Sequence, residues 1–258
     1  MNPLASAIAW STALFFAILA CIEVGYRIGD RSCKRHPELS HEGLGAIEAA
    51  VFALLGLLLG FSFAGATSHL AARRQLIVQE ANAIGTAYLR LDLLPAAEQP
   101  EMRGMFRQYL DARLRMYEEL PDWASADQQL ALAKQLQQEI WSRALTASRG
   151  DQTHDTARLL IPALNEMFDV TTARTVALHT RLPSLIFSLL VAVALVSGLL
   201  AGFGMAKRRR RAWLHMLLFA IAISVTIYAL LDMEDPRVGL IQLHSADNAL
   251  LNLRDSIR

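Results

Sequence analysis

Glu48 is the first side chain whose type and position could serve chemistry, because it lies about one turn inside an apolar stretch that is long enough to cross a bilayer. An ionisable group inside a membrane is costly and often marks an ion or proton path. Glu48 therefore either faces a water-filled path, where it binds or relays a cation or a proton, or extends to the interface and pairs with a basic residue. Interface pairing, with Arg27, Lys34 or Arg35, is favoured for Glu48 and more strongly for Glu23.

Small residues follow Glu48 along the same apolar stretch. Gly56 and Gly60 are four residues apart, and Ser62 lies close to them. Small side chains let helix backbones approach closely, so this stretch is suited to packing on another helix or to lining a narrow path. The candidate pore or ion-path residues are therefore Glu48, Gly56, Gly60 and Ser62.

A second set of charged residues follows the ends of the second and fourth apolar stretches, whereas Glu48 lies near the start of the second. Its members are Arg73 and Arg74, which follow the second stretch, and Asp232, Glu234 and Arg237, which follow the last. Carboxylates and guanidinium groups form strong, directional hydrogen bonds. A network of these residues would lock the last span to the helix that continues the second, and that structural role is favoured over a gate.

A run of basic residues separates the third apolar stretch from the fourth. Its members are Lys207, Arg208, Arg209, Arg210 and Arg211. Such a run between two spans is typical of a topology determinant. Binding of anionic lipid is compatible with that role. Binding of nucleic acid is not expected, because the run is held between two spans.

Motifs of the common enzyme classes are absent from the sequence. There is no GxSxG, no phosphate-binding P-loop, no HExxH and no GxGxxG that follows a strand. The seven histidines are scattered, and the two cysteines form no CxxC pair. The net charge of +1 creates no field that would attract nucleic acid. We expect no enzyme activity, no cofactor, no metal site and no nucleic-acid partner.

Four apolar stretches, at about residues 5–24, 44–66, 183–206 and 212–231, have the length of membrane spans. A cleaved signal peptide is disfavoured for the first, because the preceding residues carry no basic group. The mean hydropathy of +0.29 is high for a soluble protein and low for a pure membrane bundle. We predict an all-α integral membrane protein with four transmembrane helices and a helical extramembrane domain inserted between spans 2 and 3.

The domain boundaries follow from these stretches: spans 1 and 2 in residues 1–68, the extramembrane domain in 69–182, spans 3 and 4 in 183–231, and a tail in 232–258. The second span is predicted to continue unbroken into the extramembrane domain. A seven-residue repeat of Leu70, Ile77, Ile84 and Leu91 indicates a buried seam, better explained by a helix-bundle core than by a free coiled coil.

Polar positions also recur on the predicted helices of the extramembrane domain. The helix that continues the second span carries Glu80, Asn82, Thr86 and Tyr88, and the helix that returns to the membrane carries Asn165, Glu166, Asp169 and Arg174. We expect some of these residues to hydrogen-bond across the bundle. Pro162 either kinks the returning helix or marks its start.

The distribution of basic residues predicts the orientation in the membrane. The loops at 27–43 and 207–211 hold nine Lys and Arg residues, against five near the membrane on the other side. The positive-inside rule places both loops in the cytoplasm. The helical domain and both termini then lie outside a bacterial inner or plasma membrane.

Several stretches resemble the bestrophin-like family of bacterial membrane proteins, which was long catalogued as a domain of unknown function. They are EAAVFALLGLLLGFSFAGA, RRQLIVQEANAIGTAYLRLDLLP, LIPALNEMFDVTTAR and LDMEDPRVGLI, and the resemblance covers about residues 43–250. It implies four spans with a helical insert between the second and third. It also implies an oligomeric channel, since bestrophins are pentameric anion channels whose second helix lines the pore. Glu48 on the candidate pore helix does not fit an anion channel, because a ring of acidic side chains in a pore would favour cations.

Two functions remain open. The first is a homo-oligomeric ion channel or channel-like pore, lined by the second span and selective for an unspecified ion. The alternative is a non-conducting membrane sensor or scaffold whose helical outer domain binds a partner. The partners expected in the first case are the lipid bilayer, further copies of the chain, and ions.

Overall fold

The computed structural model describes residues 3–35, 44–149, 155–180, 183–207, 212–234 and 244–257, and every regular element in them is helical. The helices are α1 (Pro3–Arg35), α2 (Leu44–Leu89), α3 (Gln99–Glu118), α4 (Trp123–Arg149), α5 (Ile161–His179), α6 (Ser184–Lys207), α7 (Trp213–Glu234) and α8 (His244–Ser256). A 3-10 turn follows α2 at Arg90–Leu93, and a π-helical turn precedes α5 at Thr156–Leu160. Four helices are long and apolar enough to cross a membrane, which confirms the predicted all-α membrane fold.

Helix boundaries follow local signals, with one extension beyond the predicted span. The helix predicted to continue from the second span is unbroken over the whole of α2. Pro162 lies in the first turn of α5, directly after the π-helical turn, so it marks the start of the regular α-helix. α1 runs well beyond its apolar stretch to Arg35. Charge pairs four residues apart, such as Lys34 with Asp30, support this extension.

The chain divides into two compact units. The membrane unit contains residues 1–70 and 181–241, and the helical unit contains residues 71–180 and 242–258. α2 contributes its first part to the membrane unit and its last part to the helical unit. The tail helix α8 belongs to the helical unit, where it packs against α3.

In the membrane unit α1 packs against both α6 and α7, and glycines bring α1 and α6 into backbone contact. A Cβ atom added at Gly202 would lie 1.9 Å from the carbonyl oxygen of Ile22, and one added at Gly25 would lie 2.0 Å from that of Leu199. Real Cβ atoms do not approach that closely, so only glycine fits at either position. Gly198 and Gly202 are four residues apart on α6, and this small-residue spacing lets α6 pack closely on α1.

The helical unit is organised around a core of large apolar side chains from every one of its helices. Ile84 and Leu91 of the predicted seam are fully buried in it, as are Phe106 and Leu110 of α3. Burying these side chains stabilises the unit by roughly 1.5–3 kcal/mol each relative to exposure. The seam is therefore part of a bundle core, as predicted.

Candidate functional site

One face of the membrane part of α2 is turned toward helices of the same protomer. Phe52 lies edge-on against Phe219 of α7, with ring centroids 5.7 Å apart. Ser62 is buried on this face. Glu48 shares the face, because a Cβ atom placed at Gly204 of α6 would lie 3.0 and 3.1 Å from its two carboxylate oxygens.

The carboxylate of Glu48 thus lies over the α6 backbone at Gly204, where the Cβ atom of a larger residue would be in tight contact with it. Its side chain is only partly buried. Among the described residues Glu48 makes no ion pair. Two of its predicted partners pair within α1 instead, Arg27 with Glu23 at 2.8 Å and Lys34 with Asp30 at 2.6 Å. The predicted pairing with Arg27 is therefore confirmed for Glu23, whereas Glu48 makes no such pair with a described residue.

The other two candidate path residues lie on a different face of α2. Nothing described lies within 4 Å of a Cβ atom placed at Gly56 or at Gly60. At 100° per residue, these two positions lie roughly 80–120° around the helix from Glu48. Leu57 and Phe61 flank them and are more than half exposed. The four candidate residues thus divide into an inner pair, Glu48 and Ser62, and an outer pair, Gly56 and Gly60.

Two members of the predicted charge network, Arg73 and Arg74, belong to the helical unit, and two others belong to the membrane unit. Arg73 is buried and donates hydrogen bonds to the carbonyl oxygens of Ala177 and Thr180, which are among the last acceptors of α5. A cation at the end of a helix also offsets the negative end of its dipole. The predicted lock between the last span and α2 stays a prediction.

Asp232 and Glu234 are the two acidic members, and both are buried at the end of α7. Tyr228 donates a long hydrogen bond of 3.4 Å to Asp232. Arg237 lies outside the described residues. In the basic run, Lys207 ends α6, and Arg208, Arg209, Arg210 and Arg211 also lie outside the described residues.

The most strongly ionic site in the described part of the chain is one that the sequence only partly indicates. Glu80, Arg113, Arg174 and Tyr117 form a fully buried group in the helical unit, named here the buried ion cluster. Arg113 donates from Nε to Oε1 of Glu80 at 2.6 Å, and Arg174 donates from Nη1 to Oε2. Each carboxylate oxygen therefore accepts from its own guanidinium group.

Tyr117 contacts both cations of the cluster. Its hydroxyl accepts a hydrogen bond from Nη2 of Arg113, and the guanidinium of Arg174 stacks 3.6 Å from its ring centroid. A cation above a desolvated aromatic face is attracted by about 2 kcal/mol or more. Tyr117 thus helps both cations to remain charged away from water.

Opposing effects set the charge states in this cluster. Burial raises the pKa of the Glu80 carboxyl, but the two arginines together lower it by more, so the pKa lies below its ordinary value. Burial also raises the pKa of Tyr117, and the negative charge of Glu80 adds to that rise. Glu80 is therefore ionised and Tyr117 neutral at physiological pH, which leaves a carboxylate between two cations.

Part of this cluster was visible in the sequence. Some of the polar residues on α2 and α5 were expected to hydrogen-bond across the bundle, and Glu80 and Arg174 do so. Arg113 was missed, although it lies four residues after Tyr109 and three before Met116, on the same apolar face of α3. A charged residue in register with an apolar face was the signal, since such residues are buried only when paired.

Most of the chain matches one known protein family. A family model described as the Bestrophin-like domain matches residues 15–247, which is most of the chain. The match includes the membrane part of α2 and all four members of the buried ion cluster. No curated protein and no solved structure matches the chain.

Proposed function

We infer the function from one premise: the chain belongs to the Bestrophin-like family of membrane proteins. It is an integral membrane protein with four apolar helices of spanning length. On this premise we propose that it assembles as a homo-oligomeric ion channel or channel-like pore, with the membrane part of α2 lining the path.

The face of α2 that carries Gly56 and Gly60, named here the outer face of α2, supports this proposal. Glycines in membrane helices commonly mark places where another backbone comes close. Gly25 and Gly202 do so within the protomer, whereas Gly56 and Gly60 meet nothing in its described residues. α2 is also the least enclosed span, with 17% of its apolar segment buried against 22–28% in the other three. A path or a neighbouring copy on this face accounts for both observations.

The mass of the purified full-length protein in nanodiscs, followed by bilayer recording of the same sample, tests the proposal. We expect a closed ring of subunits and ion conductance. A monomer or dimer without conductance would overturn the proposal and favour the sensor or scaffold, whose helical unit would then be the place to search for a partner.

Neutralising Glu48 tests whether its carboxylate faces the path. A ring of carboxylates in the path attracts cations, so in that case Glu48→Gln would shift the reversal potential toward anion permeability and reduce cation conductance by roughly twofold or more. Glu23→Gln is the matched control, since Glu23 is held by Arg27 in the same membrane unit. Equal reversal potentials in both variants and the wild type would show that Glu48 only packs against α6.

We also propose that the loops after α1 and after α6 face the cytoplasm, and that the helical unit faces the outside. Cys33 near the end of α1 is a natural reporter of this orientation, and it is free. In a Cys21→Ser background, we expect a membrane-impermeant maleimide to label Cys33 only after the cells are opened. A cysteine introduced by Ser148→Cys in α4 should be labelled in intact cells. The reverse pattern would place the helical unit in the cytoplasm.

A further inference from the structure

Two serine hydroxyls in the membrane unit are buried without a hydrogen-bond partner. Ser11 of α1 and Ser224 of α7 are 8% and 6% exposed, and neither Oγ has a partner among the described residues. Several other hydroxyls of the membrane unit bond back to their own helix, as Ser197 does to the carbonyl oxygen of Val193 at 2.7 Å. An unsatisfied buried hydroxyl costs roughly 1–3 kcal/mol, so these two require a partner from outside the protomer.

Both hydroxyls line one cleft between α1 and α7, along the line of contact of these two helices, which is named here the α1–α7 seam. The cleft has a volume of about 250 Å³, and its walls include the apolar side chains of Phe15 and Ile221. A second cleft of about 620 Å³ lies along the same two helices, beginning about one turn away at Leu19 and Leu217. The seam therefore offers a small cleft with hydroxyl donors, followed by a larger cleft whose lining is apolar apart from Glu23.

The depth of Ser11 and Ser224 in the hydrocarbon core limits which molecules can occupy the cleft. Ser11 lies about 9 Å along α1 from the start of its apolar stretch, and Ser224 lies about 10 Å along α7 from the end of its own. The hydrocarbon core is about 30 Å thick, so both hydroxyls lie well inside it. Phospholipid ester groups remain near the surface of that core. The occupant must therefore be soluble in hydrocarbon and must carry acceptor oxygens that reach this depth.

We propose that the α1–α7 seam binds a membrane-soluble quinone. Its ring carbonyls accept hydrogen bonds from Ser11 and Ser224, and its apolar tail follows the seam past Leu19 toward Leu217. A quinone combines acceptor carbonyls, an apolar ring and a long tail, which are the features that the two clefts require. The proposal concerns binding alone and is independent of whether the protein conducts ions.

Saturable quenching of tryptophan fluorescence by decylubiquinone, a quinone with a ten-carbon tail, measures this binding in phosphatidylcholine nanodiscs. Trp10 precedes Ser11 directly, and Trp213 lines the second cleft. We expect saturable binding to the full-length wild-type protein and none by decylbenzene, which has the tail without carbonyls. The Ser11→Ala/Ser224→Ala variant should bind roughly tenfold more weakly, because two hydrogen bonds are lost. Ser197→Ala should bind as the wild type does.

Thermal unfolding without quinone provides a second readout in the same variants. Removing an unpartnered hydroxyl should leave Ser11→Ala/Ser224→Ala at least as stable as the wild type. A lower Tm would show that the hydroxyls are bonded within the assembly and would overturn the proposal. Undiminished quinone binding by this variant, equal binding of decylbenzene, or no saturable binding at all would also overturn it.

Discussion

Glu80→Gln will lower the free energy of unfolding of the helical unit by about 3–5 kcal/mol, because it leaves two buried guanidinium groups without their counter-ion. Glutamine keeps the shape of the side chain, so the loss reports the charge and not a cavity. Thermal unfolding of the full-length protein, followed by circular dichroism, measures the change. Hydrogen exchange at α3 and α5 would locate it in the helical unit.

An exposed ion pair of the same unit is the control for this variant. Asp92 pairs with Arg103, and both side chains are substantially exposed. Surface pairs contribute only about 0–1 kcal/mol, so Asp92→Asn should change the Tm little. An equally small effect of Glu80→Gln would show that the buried ion cluster does not hold the unit together. Combining Glu80→Leu with Arg113→Met and Arg174→Met should recover part of the lost stability, since no charge is then left buried alone.

Acid should remove the same stabilisation that Glu80→Gln removes. The pKa of Glu80 is lower in the folded protein than its ordinary value, so its contribution is complete above about pH 4.3, the usual pKa of a free glutamate. The contribution is lost as the pH falls through the lower folded-state pKa. We expect the Tm difference between wild type and Glu80→Gln to be constant above about pH 5 and to shrink below pH 4.

Gly202→Val will prevent α1 and α6 from packing, and we expect a loss of at least about 3 kcal/mol or failure to recover monodisperse protein. The added side chain would collide with backbone atoms of Ile22 and Tyr26, which cannot rotate away. Adding atoms to a well-packed core costs typically about 1–3 kcal/mol, and a direct clash with backbone atoms costs more. Size-exclusion chromatography in detergent and thermal unfolding measure the effect.

Gly60→Val is the matched control, because it makes the same change in a membrane helix at a position with open space around it. We expect the protomer to fold with nearly the wild-type Tm. The ring or its conductance should change, because the new side chain would project into the path or toward a neighbouring copy. Wild-type assembly and conductance in Gly60→Val would contradict the role proposed for the outer face of α2. A stable Gly202→Val protein would contradict the close packing of α1 on α6.

Local features of the sequence were enough to predict the fold class. Apolar runs of spanning length and the seven-residue seam from Leu70 to Leu91 depend only on neighbouring residues, so the helices they predict were found. Pro162 was correctly recognised as a boundary or a kink, although the sequence could not decide between them. The family resemblance also came from the sequence, and the family match confirms it.

The candidate site was predictable only in part. Glu48, Gly56, Gly60 and Ser62 were grouped because they are close in sequence on one apolar helix. Which face each occupies depends on where α6 and α7 lie, and Gly204 of α6 receives the Glu48 carboxylate.

The sequence by itself determined that the chain is an all-α membrane protein of the bestrophin-like type, because hydrophobic length, helical periodicity and motifs are local properties. Only the tertiary structure decided that Arg113 and Arg174 enclose Glu80, since these residues are 33 and 94 positions away from it. It also decided that Ser11 and Ser224 share a cleft although they lie on the first and last spans. Such partners depend on how helices pack, and the free energy of burying a charge or a hydroxyl is fixed by its neighbours in space.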